Sequence, residues 1–198
     1  VTRQGHRKTE EMVMFVRTQR LTLRPGWRED APELAQAMGH ESVVRNLARA
    51  PWPYTIEAAE TFAASFDDCT EPKFLIFEHL RGTTRLIGGM AVGRFENEPH
   101  ELGYWITPDA WGRGYATEAG AAVLRAARAA GIRRVVAGHF LDNPASGRVL
   151  RKLGFRPTGR VTQVYSRGRG AAQASARFEI DLADTGTVDN DPRARMAA

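Results

Sequence analysis

One cysteine, Cys69, is all the chain has, so no disulfide can form within it. A lone thiol fits a reducing compartment, and such a residue more often serves as a small buried hydrophobe than as a nucleophile. No apolar run approaches the roughly 18 residues of a membrane span. The apolar piece 12–16 is cut by Arg17 and is too short for the core of a signal peptide, so the cytoplasm is the expected location. Basic stripes interleaved with aromatics are also missing, and a net charge of +5 is modest, so no nucleic-acid partner is expected. No acidic cluster is present to hold a polycation, and no metal site is expected. At 42% hydrophobic and 26% charged, the 198 residues suit one globular domain with a proper core.

Organisation follows from composition and periodicity. Residues 1–17 are polar, basic and without periodicity, and are expected to be a flexible extension; Met12 and Met14 each offer another start. Residues 184–198 lack large apolar groups and read as a disordered tail. Between them, 18–183 is expected to form one mixed α and β domain, with six or seven strands in the order strand, two helices, three strands, then helix, strand, helix and two strands. Leu21 and Leu23 alternate with Thr22 and Arg24, a half-buried strand stopped by Pro25. Glu29 or Asp30 starts the first helix, and Thr55 caps the second with Glu57 in its first turn. Strands are expected over 73–80, 84–95, 99–107 and 133–140, from Phe155, and over 177–182. A central helix runs from Gly114, with Ala119, Ala122, Val123, Ala126 and Ala130 on one face and Gly131 beyond its end. A second helix, 143–153, has Asn143 as N-cap and Pro144 at its first position.

The richest stretch is Glu101 to Gly120, ELGYWITPDAWGRGYATEAG. A strand ends at Thr107-Pro108-Asp109, and a loop with Gly112 and Gly114 opens directly into the central helix. The first-turn N–H groups of a helix have no partner within it, and the aligned peptide dipoles add positive charge there. Glycines let the backbone approach a phosphate closely. The spacing is not G-x-G-x-x-G, and no Gly-Lys-Ser/Thr follows, which excludes a Rossmann fingerprint and a P-loop. What remains is a nest of backbone donors suited to a pyrophosphate.

Two segments carry a resemblance: Trp111-Gly112-Arg113-Gly114-Tyr115-Ala116, and Asn143 followed by a helix ending Leu153-Gly154-Phe155. Together they resemble the GNAT acyltransferase superfamily, whose phosphate loop is Gln/Arg-x-x-Gly-x-Gly/Ala; here tryptophan holds the first place. Arg20 to Pro25, Pro53-Tyr54-Thr55 and Glu101 to Trp105 look like the branch that contains the RimJ/RimL-type ribosomal-protein N-terminal acetyltransferases. The resemblance spans about residues 18–183. It implies a GNAT fold: an α/β (α+β) arrangement with a mostly antiparallel sheet, helices on both faces and a V-shaped splay between strands 99–107 and 133–140. It implies acetyl-CoA as cosubstrate. Trp105, Ile106 and Thr107 would pair with the pantetheine arm, and Asn143 would reach its amide. Trp111 and the backbone of Gly112, Arg113, Gly114, Tyr115 and Ala116 would take the pyrophosphate, with Thr117 capping.

The resemblance also places Glu101 as the base that takes a proton from the attacking amine, while His100 should point to the opposite face. Many members carry a tyrosine in the last helix to protonate the leaving thiolate. Leu150 stands there, and Ser146, one turn earlier, becomes the candidate donor near the sulfur. Trp52, Tyr54 and Tyr104, with Tyr165 a further aromatic, are candidates for the acceptor pocket. The expected activity is acetyl transfer to a primary amine by direct attack in a ternary complex, since no activated nucleophile is present. A protein N-terminal amine is favoured, because its ordinary pKa of about 7.7–8.0 leaves far more neutral amine at pH 7 than lysine's, near 10.4. A small-molecule amine or aminoglycoside is the alternative, as is a non-catalytic acyl-CoA sensor. The chain is expected to act as a monomer or homodimer, away from membranes.

Overall fold

The computed structural model describes residues 15–67, 69–80, 82–95 and 98–183. The expectations for residues 1–14 and 184–198 lie outside them. The elements are β1 (Val16–Arg17), β2 (Leu21–Arg24), α1 (Ala31–Met38), α2 (Glu41–Val44), α3 (Ile56–Ala64), β3 (Lys73–Leu80), β4 (Thr83–Phe95), β5 (Glu98–Ile106), α4 (Tyr115–Ala129), β6 (Arg134–Phe140), α5 (Pro144–Lys152), β7 (Arg156–Ser166) and β8 (Ala171–Asp181). One eight-stranded sheet runs in the order β1-β2-β3-β4-β5-β6-β8-β7. Every pairing is antiparallel except β5 with β6.

The sheet is thus one strand larger than expected. Val16 and Arg17 pair with Leu23 and Thr22, so the last residues of the expected extension belong to the domain. Two residues are too few to show a period of two. β8 starts at Ala171 rather than Arg177, because 171–176 (AAQASA) has no β-branched or aromatic residue to announce a strand, and its pairing with β6 and β7 supplies the order instead.

Alternation along the strands divides the core in two. On β3, Phe74 and Ile76 join Leu21, Leu23, Leu102, Val123 and Leu150 on the face covered by α4 and α5. Leu75 and Phe77 join Leu34, Val44, Ala59 and Trp105 on the face covered by α1 and α3. Gly114 enters α4 with φ +81° and Gly131 leaves it with φ +82°, both in the left-handed region that favours glycine. Ala119, Ala122, Val123 and Ala126 are buried as expected, whereas Ala130 is exposed at the helix end. A Cβ at Gly120 would stand 2.5 Å from Leu153 Cδ1, so glycine lets α4 and α5 close together.

Local chemistry explains the remaining boundaries. Thr55 Oγ1 accepts the Ala58 N–H at 3.4 Å and caps α3. Asp30, at the start of α1, does not cap that helix with its side chain. Its carboxylate takes both terminal nitrogens of Arg24 instead, at 2.6 and 2.7 Å, and the Trp27 N–H at 2.7 Å. That fork ties β2 to the helix start. Cys69 is exposed in the turn after α3, not buried as its residue type suggests. Among the described residues, no helix is long and apolar enough to cross a membrane, and no three His, Cys, Asp or Glu side chains group to hold a metal.

Candidate active site

The two central strands separate soon after they meet. β5 and β6 pair only at Glu101 with Val136 and Leu102 with Ala137, and beyond that the ladder is open. Thr107 N–H bonds back to Ile87 O on β4, so alternation turns the backbone groups of Ile106 to the open edge. Of the expected pantetheine track, Ile106 therefore faces the split, together with Tyr104 two residues back. Trp105 and Thr107 face β4 with their backbones and have buried side chains. Trp111 Nε1 donates to Ile106 O at 2.6 Å, so the residue in the unusual first loop position steadies the end of this edge.

Side chains approach the split from both faces. Glu101, Gly103 and Trp105 lie on the α1/α3 side, and Leu102, Tyr104 and Ile106 on the α4/α5 side. His100, next to Glu101, faces Glu71 with Nε2 at 3.8 Å from Oε1. Glu101 Oε1 accepts from Arg177 Nη1 at 2.9 Å, and both side chains are largely buried, at 16% and 13% exposure. Arg177 comes from β8, where it pairs with Gly138.

On the other face, the first turn of α5 presents Ser146. Tyr104 Oη and Ser146 Oγ are 2.7 Å apart, and the tyrosine hydroxyl also lies 3.3 Å from Ser146 O. Burial pushes the Tyr104 hydroxyl up to about 12, only partly opposed by its bond to Ser146, so it keeps its proton at neutral pH. Asn143 Oδ1 accepts the Ser146 N–H at 3.4 Å, which makes it the cap of α5 and fixes the serine relative to the cleft. Leu150 is fully buried in the core and makes no approach to the cleft by a polar group.

The loop after β5 is the stretch expected to take the pyrophosphate. Gly112 has φ +73° and Gly114 φ +81°; a Cβ on Gly112 would meet nothing within 4 Å, whereas one on Gly114 would come within 3.5 Å of Arg20 Nη2. Thr117 N–H and Glu118 N–H bond to Gly114 O, so Thr117 closes the first turn through its backbone. The two first-turn donors before it, at Tyr115 and Ala116, have no helical acceptor by geometry. Arg20 braces the loop from the turn before β2: Nη1 donates to Arg113 O at 2.9 Å and Nε to Glu118 Oε2 at 2.7 Å. An open cradle beside a splayed strand edge suits a ligand with a pyrophosphate and an amide-bearing arm, which is the chemistry of coenzyme A.

The expected acceptor aromatics are dispersed. Trp52 is exposed, Tyr54 is buried in the core beneath α1 and α3 with its hydroxyl pushed up to about 12 by that burial, and Tyr165 is exposed on β7. Near them the turn between β7 and β8 is stitched to the segment after α2 and to the connection between β6 and α5. Arg169 holds Asp142 through Nη1 and Nη2 at 2.7 and 3.0 Å, Ser166 Oγ donates to Leu47 O, and Arg167 N–H to Ala48 O. Arg177 and the Tyr104–Ser146 pair carry no sequence signal of their own, because each acts through a strand or helix pairing that spacing does not disclose.

A sheet that opens between two strands, with a glycine-bearing loop at one end and polar side chains on both sides, fits an acyl-coenzyme A transferase. The chain belongs to the acetyltransferase (GNAT) domain family, whose model matches residues 20–156. It is similar to the uncharacterized N-acetyltransferase YoaA of Bacillus subtilis (strain 168), at 30% identity over 164 residues, covering 79% of this chain and 92% of that protein. A GNAT-family acetyltransferase from Bacillus anthracis shares the fold with a TM-score of 0.73 at 22% identity, covering 86% of this chain and all of that one. Mycobacterium smegmatis RimJ, solved with a coenzyme A disulfide, gives 0.68 at 18% identity, covering 84% of each chain. The protein is an acetyl-CoA-dependent N-acetyltransferase.

Proposed function

We propose that the protein acetylates a primary amine by direct attack in a ternary complex, with a protein N-terminal α-amine as the favoured acceptor. The observation that carries this reading is the placement of Glu101 and Ser146 on opposite sides of the β5/β6 split. Acetyl-CoA supplies an activated acyl group on a thiolate leaving group. The chain's own residues bind and orient it. Ile106 and Tyr104 offer backbone groups along the open edge, and the loop from Gly112 to Ala116 offers N–H groups to the pyrophosphate. Trp111 and Arg113 shape that loop, Thr117 closes its first turn, and Asn143 sets the start of α5.

Glu101 accepts the amine's proton, directly or through water. Arg177 fixes one of its oxygens and so fixes the direction of the carboxylate. Ser146 Oγ, with the protonated Tyr104 behind it, donates a hydrogen bond on the opposite side, where negative charge collects on the departing sulfur. A single carboxylate offset by an arginine adds no net negative charge that would draw a polycation, which favours a neutral α-amine over an aminoglycoside. Of the candidate aromatics, Trp52 and Tyr165 are the exposed ones and serve for acceptor contact.

The test is thiol release from acetyl-CoA across a panel of peptide N-termini, polyamines and aminoglycosides. Turnover with peptides bearing a free α-amine, lost when that amine is blocked, supports the reading. Turnover confined to polyamines or aminoglycosides would replace it with a small-molecule acceptor.

A further inference from the structure

Glu78 is a buried carboxylate near the end of β3, 1% exposed, on the face that carries Phe74 and Ile76. A buried charge is tolerated only when its oxygens are fully engaged. Here every partner leads to the coenzyme loop. Oε2 accepts from Tyr115 Oη at 2.7 Å and lies 3.4 Å from Arg113 Nη1. Oε1 accepts from Arg85 Nε at 3.0 Å, and the same guanidinium reaches Asp109. Asp109 stands at the start of the loop, Arg113 in its middle and Tyr115 at the first position of α4. The buried carboxylate thus anchors the loop at both ends and between. Burial alone would raise the Glu78 carboxyl, yet the Tyr115, Arg85 and Arg113 contacts hold it below its ordinary range, so it is a carboxylate at neutral pH.

We propose that Glu78 is a positioning residue for the coenzyme: it holds the Gly112–Ala116 loop in its phosphate-receiving shape without touching the ligand. Two glycines at positive φ make that loop conformationally free in isolation, and a free loop must be ordered at the expense of affinity. The network removes that freedom in advance. It also draws the Arg113 guanidinium inward, against Glu78 and the Tyr115 ring, whose centroid is 4.9 Å away. Arg20 packs on the same ring at 4.6 Å. Backbone N–H groups are what the held loop presents to the pyrophosphate.

This inference rests on the reading of the loop as the pyrophosphate site, and the experiment separates the two. Glu78→Gln is compared with the parent for kcat and KM with acetyl-CoA, for calorimetric binding of CoA, and for turnover of S-acetylpantetheine, which lacks the pyrophosphate. The expected result is a rise in acetyl-CoA KM and CoA Kd of about tenfold, the effect of one lost charge-assisted hydrogen bond. Saturated kcat and the rate with S-acetylpantetheine should stay within about twofold, because the reacting groups are untouched. Should Glu78→Gln fold poorly, Tyr115→Phe removes one bond and keeps the ion pairs, with CoA Kd rising about threefold. A fall in kcat with unchanged acetyl-CoA KM marks a merely structural role and overturns the inference. Parent-like CoA binding in Glu78→Gln while Gly114→Val has lost it overturns the role of Glu78 and leaves the loop reading standing. Parent-like binding in both removes the loop reading itself.

Discussion

Arg177 reaches Glu101 across the sheet, Nη1 to Oε1 at 2.9 Å, by passing over Gly138. A Cβ on Gly138 would stand 2.7 Å from that nitrogen and 2.9 Å from Ser175 Oγ, so glycine leaves the path open. The ion pair spans β8 to β5 near the point where β5 and β6 part. It therefore orients the carboxylate at the opening and braces the opening at the same time.

Two substitutions separate those roles. Glu101→Gln should lower turnover roughly 10²–10⁴-fold, the usual worth of a general base, with little change in CoA affinity. Arg177→Met leaves the carboxylate buried without its arginine, and breaking such a pair costs about 3–5 kcal/mol. The double variant removes both charges and should regain a good part of that stability, read as the urea midpoint. Strictly additive losses in the double variant would show that the two side chains do not act as a pair.

Ser146 and Tyr104 are expected to behave as one unit. Ser146→Ala should lower kcat about tenfold, a mild loss because a thiol of pKa about 8.5 is already a fair leaving group. Tyr104→Phe keeps the ring in place and should lower kcat less. Combined, the two changes should be no worse than Ser146→Ala alone, since contacting residues in one hydrogen-bond chain are not additive. Multiplying effects in steady-state kinetics would instead assign Tyr104 a separate role at the acceptor.

Gly114→Val places a branched side chain at φ +81°, with its Cβ 3.5 Å from Arg20 Nη2. Both the strain and the new bulk fall on the proposed phosphate approach. CoA binding should be lost in calorimetry while the fold, seen by circular dichroism, persists. Normal CoA affinity would sink the cradle argument.

Much of this architecture was legible because its signals are local. The loop glycines, the Asn143 and Thr55 caps and the apolar face of α4 each follow from a few neighbouring residues, and the structure has them in those places. β1 and the first half of β8 were illegible, one for brevity and the other for composition; both are held by pairing with distant strands. The same limit applies at the site. Glu101 is singled out by the family resemblance, but Arg177 is 76 residues away and is joined to it only through the order of β5, β6 and β8. Tyr104 looks like a pocket aromatic until α5 brings Ser146 to its hydroxyl. Tyr54, by contrast, follows the ordinary habit of aromatics and packs in the core.

The brace between the turn before β2 and α4 should make stability fall with acid. Burial works to raise the Glu118 carboxyl, but the Thr18 hydroxyl at 2.6 Å, the Arg20 N–H at 3.0 Å and the Arg20 guanidinium together hold it below its ordinary value of 4.5. A carboxyl with a depressed folded value binds protons more readily in the unfolded chain. Its contribution is therefore complete above the ordinary value and is lost as pH falls through the lower folded one. Glu118→Gln removes that dependence, so the urea midpoints of parent and variant should differ most at neutral pH and converge below pH 4.5. The carboxylate also carries Arg20, which in turn holds Arg113 O. CoA affinity should weaken along with stability in the variant, and a gap between the two midpoints that is constant with pH would show that Glu118 contributes through packing and not through its charge.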